Sequence, residues 1–140
     1  MAAYNKFLIF TKDLDEGKHN FASNTFKVML TNTAPVNTNS IKADLTEISA
    51  GNGYTAGGTA TTITSSTSSG TAKVTGTDVV FTAAGGSIGP LRYVVFYNDT
   101  QTSPAKPLIA WWDYGSSITL NDTETLTVDF DAVNGIFTVT

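Results

Sequence analysis

Groups that trade protons near neutral pH are scarce in this chain, which has one histidine, His19, and no cysteine. Lying just past Gly17, His19 reads as a polar residue beyond a helix end. A lone histidine argues against a multi-histidine metal site, and the missing cysteines exclude thiolate ligands and disulfides. Carboxylates are the remaining candidates. Asp113 lies in the aromatic run Trp111-Trp112-Asp113-Tyr114, and Asp129 or Asp131 can approach it across a sheet, the pairing a glycosidase needs. Trp111, Trp112 and Tyr114 add faces on which a sugar can stack. The stronger reading of Asp113 is structural, because it precedes Tyr114-Gly115, where a carboxylate commonly bonds the amides of a turn. Asp122, Glu124, Asp129 and Asp131 offer hard oxygen ligands to calcium, but without the spacing of a known calcium loop. No catalytic residue, metal ligand or cofactor is therefore expected.

The glycine-rich stretch Gly51 to Gly58 lacks the Gly-Lys-Ser/Thr of a phosphate loop and the three-glycine spacing of a dinucleotide site. It reads as an extended loop that needs positive φ and is anchored by Tyr54. Asn98-Asp99-Thr100 and Asn121-Asp122-Thr123 match the glycosylation triplet, as chance provides in so Asn- and Thr-rich a chain.

The elements that must hold these residues are strands. The 140 residues suit one domain, 1–140, able to bury a core without staples. Charged residues are only 14%, and the gap is filled by 24 threonines and 11 serines, side chains suited to a pleated, half-exposed surface. The net charge of −4 disfavours nucleic acid as a partner, and no apolar run approaches the length of a membrane span. After Lys106 there is no Lys or Arg, while five acids fall there, so that end suits a basic partner as well as it suits a solvated rim.

Residues 4 to 19 read as a short amphipathic helix ending near Gly17, with Phe7, Phe10 and Leu14 on one side; residues 1–20 are the expected helical arm. From Thr25 the period becomes two, with Phe26, Val28 and Leu30 inward, Thr25, Lys27 and Thr31 outward and Met29 the exception, which reads as a half-buried strand. Ile41, Leu45 and Ile48 suggest a turn or two of helix after Ser40. Residues 59 to 71 read as a weak strand and a mobile or partner-ordered loop. Residues 72 to 82 read as a single strand bent at Gly76, with Val74, Val80 and Phe81 inward. In 91 to 97 both faces are apolar, Leu91, Tyr93, Val95 and Tyr97 against Val94 and Phe96, the pattern of a central strand. Trp111 and Trp112 must point to opposite faces, one into the core and one to a contact surface. Residues 124 to 130 alternate, and Asn134-Gly135 suggests a tight hairpin returning through Ile136. About eight strands result. The expected class is all-β, an antiparallel β-sandwich of jelly-roll type with a short N-terminal helix, an immunoglobulin-like order being the competitor.

Tyr4 to Phe7, Phe26 to Pro35, Ala50 to Gly58 with its Gly-Tyr-Thr-Ala-Gly-Gly, Gly86 to Tyr93 and Trp-Trp-Asp-Tyr-Gly at 111–115 together resemble a family of small tailed-bacteriophage virion proteins. The resemblance runs in order along nearly the whole chain. It implies a structural protein of the particle, similar to the cement or decoration proteins that clamp shell subunits from outside. The implied location is the outer surface of the capsid, and the implied partners are the major capsid protein and further copies of the chain, as homodimer or homotrimer. A tail or baseplate component, or a glycan-binding fibre tip, is the alternative. Because aromatic residues dominate interface hot spots, Trp111, Trp112, Tyr114 and Tyr54 are the expected anchors, with Phe7 and Phe10 on the amino-terminal arm.

Overall fold

The structure, a computed structural model, describes residues 2–140. Ten strands form three antiparallel sheets, accompanied by one short α-helix. The strands are β1 (Asn5–Lys6), β2 (Phe26–Thr31), β3 (Thr59–Thr61), β4 (Ile63–Ser68), β5 (Thr71–Gly76), β6 (Val79–Thr82), β7 (Ile88–Asn98), β8 (Leu108–Leu120), β9 (Thr125–Val128) and β10 (Phe137–Val139); α1 is Ile9–Asp15. The main sheet runs β1-β8-β7-β2-β3, and the others are β10-β5-β4 and β6-β9. The all-β, antiparallel expectation and the N-terminal helix stand; this strand order does not display a jelly roll.

The main sheet is apolar on both faces because β2 and β7 carry core residues on both sides. Phe26, Val28 and Leu30 join Val94 and Phe96 on one face, packed against Val79 and Phe81 of β6 together with Phe130 and Ile136. Met29, Val95, Tyr97 and Leu108 line the other face under Phe7 and Leu45. Leu91 was expected on the Val95 side. Register shifts between Ile88 and Tyr93 carry it to the Val94 side instead, as an inserted residue does in a bulged strand.

Four connections differ from expectation. Residues 63 to 76 form a hairpin: Ser68 pairs with Thr71, and Ser69 (φ 50°) and Gly70 (φ 80°) make its two-residue turn. Beyond Gly76 the chain changes sheet, so 72 to 82 is two strands; a Cβ at Gly76 would sit 2.9 Å from Thr61 Oγ1. Val80 points outward, between the buried Val79 and Phe81, as strict alternation requires. Asn134-Gly135 closes no hairpin, because β9 pairs with β6 and β10 with β5. Asp131 organises that connection, its carboxylate accepting the Val133 and Asn134 amides at 2.8 Å each. Between Ser40 and Leu45 there is only one 3-10 turn, Lys42–Asp44. Its opening amides, Ser40 and Ile41, donate to Asp44 rather than being capped by Ser40.

The amino-terminal segment packs as part of the body. Asn5 and Lys6 pair with the edge of β8, and α1 ends in a Schellman motif: Lys18 N–H donates to Asp13 O (2.8 Å) and Gly17 N–H, at φ 72°, to Leu14 O (3.2 Å). Phe10 is buried among His19, Phe21 and Phe137.

Candidate functional site

Alternation along β8 divides its aromatic residues between two faces. Trp111 turns toward Phe7, with ring centroids 4.5 Å apart, while Trp112 turns to the opposite face and meets Phe130 at 5.8 Å and 64°. Both indoles are half-buried, so neither is simply core or simply surface. Tyr114, two residues on from Trp112 and therefore on its face, is 54% exposed. Tyr4, placed beside β8 by the β1 pairing, sets its ring edge-on to Trp112 at 5.8 Å; burial pushes its phenol up to about 12.

These rings wall a recess of about 320 Å³ between the outer half of β8 and the connection from β9 to β10. Leu126, Val128, Phe130 and Ile136 supply its apolar floor, and Asp129 and Asp131 stand at its lining with Thr127. The recess exists because β9 stops at Val128 and the chain crosses to another sheet, leaving a gap that residues 129–136 cover only in part. Asp131 is committed to its own turn, and the bonds from Asn134 hold its carboxyl below the usual range. A shallower groove adjoins, lined by Asp78, Asp129 and Asp131 among others.

The residues considered for chemistry are otherwise engaged. Arg92 grips Asp113 through two bonds of 2.8 and 3.0 Å, and Gly115 N–H adds a third at 2.8 Å. The Arg92 bond leads in lowering the Asp113 carboxyl, and the Gly115 amide supports it. Because Asp113 alternates with Trp112, its carboxylate lies on the face away from the recess, so it does not pair with Asp129 or Asp131. Asp122 accepts the Gly85 amide, and Glu124 accepts from Asn121. Among the described residues no three carboxylates or imidazoles gather as metal ligands do.

His19 lies beyond the end of α1, as expected, and is buried there. Its Nδ1 faces Asn98 Nδ2 at 3.2 Å, and its ring lies near Phe10, Phe21 and Phe26. Asn98 Oδ1 accepts the Thr100 and Gln101 amides, which fixes Nδ2 as the donor toward the ring. A neutral His19 then carries its proton on Nε2, a buried atom without a partner. Burial lowers its pKa to about 4.

Of the expected anchors, Trp112 and Tyr114 meet in the recess, Trp111 lies on the other face, and Tyr54, Phe7 and Phe10 are buried within the chain. The last three are corrected to core residues. Tyr54 does anchor the glycine-rich loop: its hydroxyl donates to Glu47 (2.7 Å) and accepts the Leu30 amide (3.0 Å), standing where β3 no longer flanks β2. Burial pulls the Glu47 carboxyl up, but bonds from Lys42, Tyr54 and the Gly57 amide outweigh it and leave the group below its ordinary value. Gly58 lets the loop cross β2 closely, since a Cβ there would fall 1.8 Å from Val28 O. Tyr4 is the site residue that sequence reasoning missed, as a two-residue edge strand leaves no periodicity to read.

No helix among the described residues is long and apolar enough to cross a membrane. Comparison with protein-family models, with curated proteins and with solved structures returned no match.

Proposed function

We propose that this chain is a structural protein of a tailed-phage particle, a β-sandwich body that acts as capsid cement by binding the major capsid protein on the outer surface of the shell. It acts without catalysis, cofactor, nucleic acid or membrane, and its copies associate as a homodimer or homotrimer. The observation that carries this reading is the surface recess of Trp112, Tyr114 and Tyr4 beside Asp129 and Asp131, an aromatic patch with the composition of an interface hot spot. The family resemblance supplies the particle, and the base-free stretch after Lys106 favours a basic partner.

A cement protein works by adding buried contact at capsomer junctions. Each contact gains apolar burial of about 25 cal/mol per Å², much of it offset by the entropy of association. Several contacts per oligomer then add avidity. Quantified protein bands from purified particles test the reading. Cement predicts a copy number comparable to that of the major capsid protein, whereas a few dozen copies or fewer would assign the chain to the tail or baseplate.

A further inference from the structure

We propose that the recess between Trp112, Tyr114 and Tyr4 receives an arginine side chain presented by a partner protein. Three observations point to this occupant. The floor is apolar and three of the walls are aromatic, which suits an aliphatic stem and a planar cation that stacks on ring faces. The charged groups at the lining are carboxylates, Asp129 and Asp131, with Asp78 in the adjoining groove, and no Lys, Arg or His is among the lining residues. The ammonium that acts on Asp131, that of Lys73, is bound to the Val133 carbonyl at 2.8 Å.

The inventory of donors and acceptors separates arginine from a sugar. A guanidinium brings five donors and no acceptor, which matches acceptor-only carboxylates. A sugar hydroxyl brings acceptors as well, and among the lining side chains only the two phenols, the Trp112 indole N–H and Thr127 can donate to them. Asp131 is occupied by its own turn, so Asp129 is the carboxylate free to pair with the incoming group, and Asp131 contributes charge.

That a shell protein supplies the arginine rests on the function proposed above; the chemistry of the recess does not, and is tested without any particle. N-acetyl-arginine amide is titrated into the folded chain, and the tryptophan indole N–H signals are followed by NMR alongside the uncharged isostere N-acetyl-citrulline amide and a methyl glycoside. The inference predicts saturable shifts of the Trp112 signal in the millimolar range, and citrulline binding at least about tenfold weaker. Asp129→Asn and Tyr114→Ala, both changes of exposed side chains, each weaken the arginine ligand by a similar factor while the thermal midpoint holds. Equal binding of citrulline, indifference to Asp129→Asn, binding of the glycoside in preference, or no shift of Trp112 would each overturn it. Particles that lack the chain would refute the cement reading and leave this result standing.

Discussion

Replacing His19 by phenylalanine should remove most of the acid sensitivity of this fold between pH 7 and 5. Burial lowers the pKa of the folded ring to about 4, from an ordinary 6.5. A base depressed in this way contributes stability that is present above the unfolded pKa and is lost as pH falls toward the folded one. At pH 5 the unfolded ring is almost fully charged while the buried one is still mostly neutral. The difference is about 2 kcal/mol between pH 7 and 5, growing to about 3 kcal/mol near pH 4. That is a large fraction of the roughly 5–15 kcal/mol that holds a domain together. Glu47, Asp99, Asp113 and Asp131, whose carboxyls are all lowered, lose their contributions only below about pH 4.5, so the two windows separate. Phenylalanine suits the site, because Phe10, Phe21 and Phe26 already surround the ring. The lost bond matters little: Asn98 Nδ2 keeps Lys18 O and Asn24 Oδ1 as acceptors once the ring nitrogen is gone. Urea unfolding at pH 7, 6 and 5, followed by tryptophan fluorescence, reads the slope directly. Equal slopes for the two proteins, or an NMR titration of His19 near 6.5 in the folded chain, would refute the reasoning.

Three further outcomes follow from the core and its loops. Tyr54→Phe leaves the buried Leu30 amide without its partner and takes one of two bonds from Glu47 Oε1, which keeps the Gly57 amide; it should cost about 1–3 kcal/mol in unfolding free energy by urea, with the secondary structure retained by circular dichroism. Gly58→Ala meets the Val28 carbonyl at 1.8 Å and holds φ +79°, so a loss of more than about 3 kcal/mol is expected; an unchanged melting temperature would contradict the loop crossing. Asp13 is buried with one carboxylate oxygen unpartnered, and desolvation leads in raising its pKa. A raised folded pKa favours the folded state at low pH and penalises it as pH rises through that value, so Asp13→Asn should stabilise the chain at pH 7 by roughly 1 kcal/mol and gain nothing near pH 3.

What could be read before the structure divides along physical lines. Val94, Val95 and Phe96 are consecutive apolar residues, and that pattern correctly marks a strand covered on both faces; β2, read as half-buried, is covered on both as well, since Met29 and Thr31 are buried opposite Val28 and Leu30. The bond from the Gly115 amide to Asp113 was legible, because a carboxylate two residues before a glycine reaches its amide locally, but the turn expected there was not found: β8 continues through Gly115 to Leu120. Pairing partners were not legible: Asn134-Gly135 has the chemistry of a hairpin turn, yet which strand β10 joins is decided by packing across the sheets. The Ser/Thr run of β4 has almost no apolar alternation, so the hairpin it forms with β5 was read as a weak strand and a loop. Tyr54, Phe7 and Phe10 carry the same rings as Tyr114, and only tertiary burial tells an anchor from a core residue. The recess depends on where β9 ends and on a two-residue β1, features too short for periodicity to report.

A reconstruction of the intact particle, with this chain fitted to its density, tests the central claim most directly. The account predicts the domain on the outer face of the shell at junctions between capsid subunits, with Trp112 and Tyr114 turned into the contact. Density confined to the tail, or a shell-bound chain with those two side chains facing solvent, would contradict it.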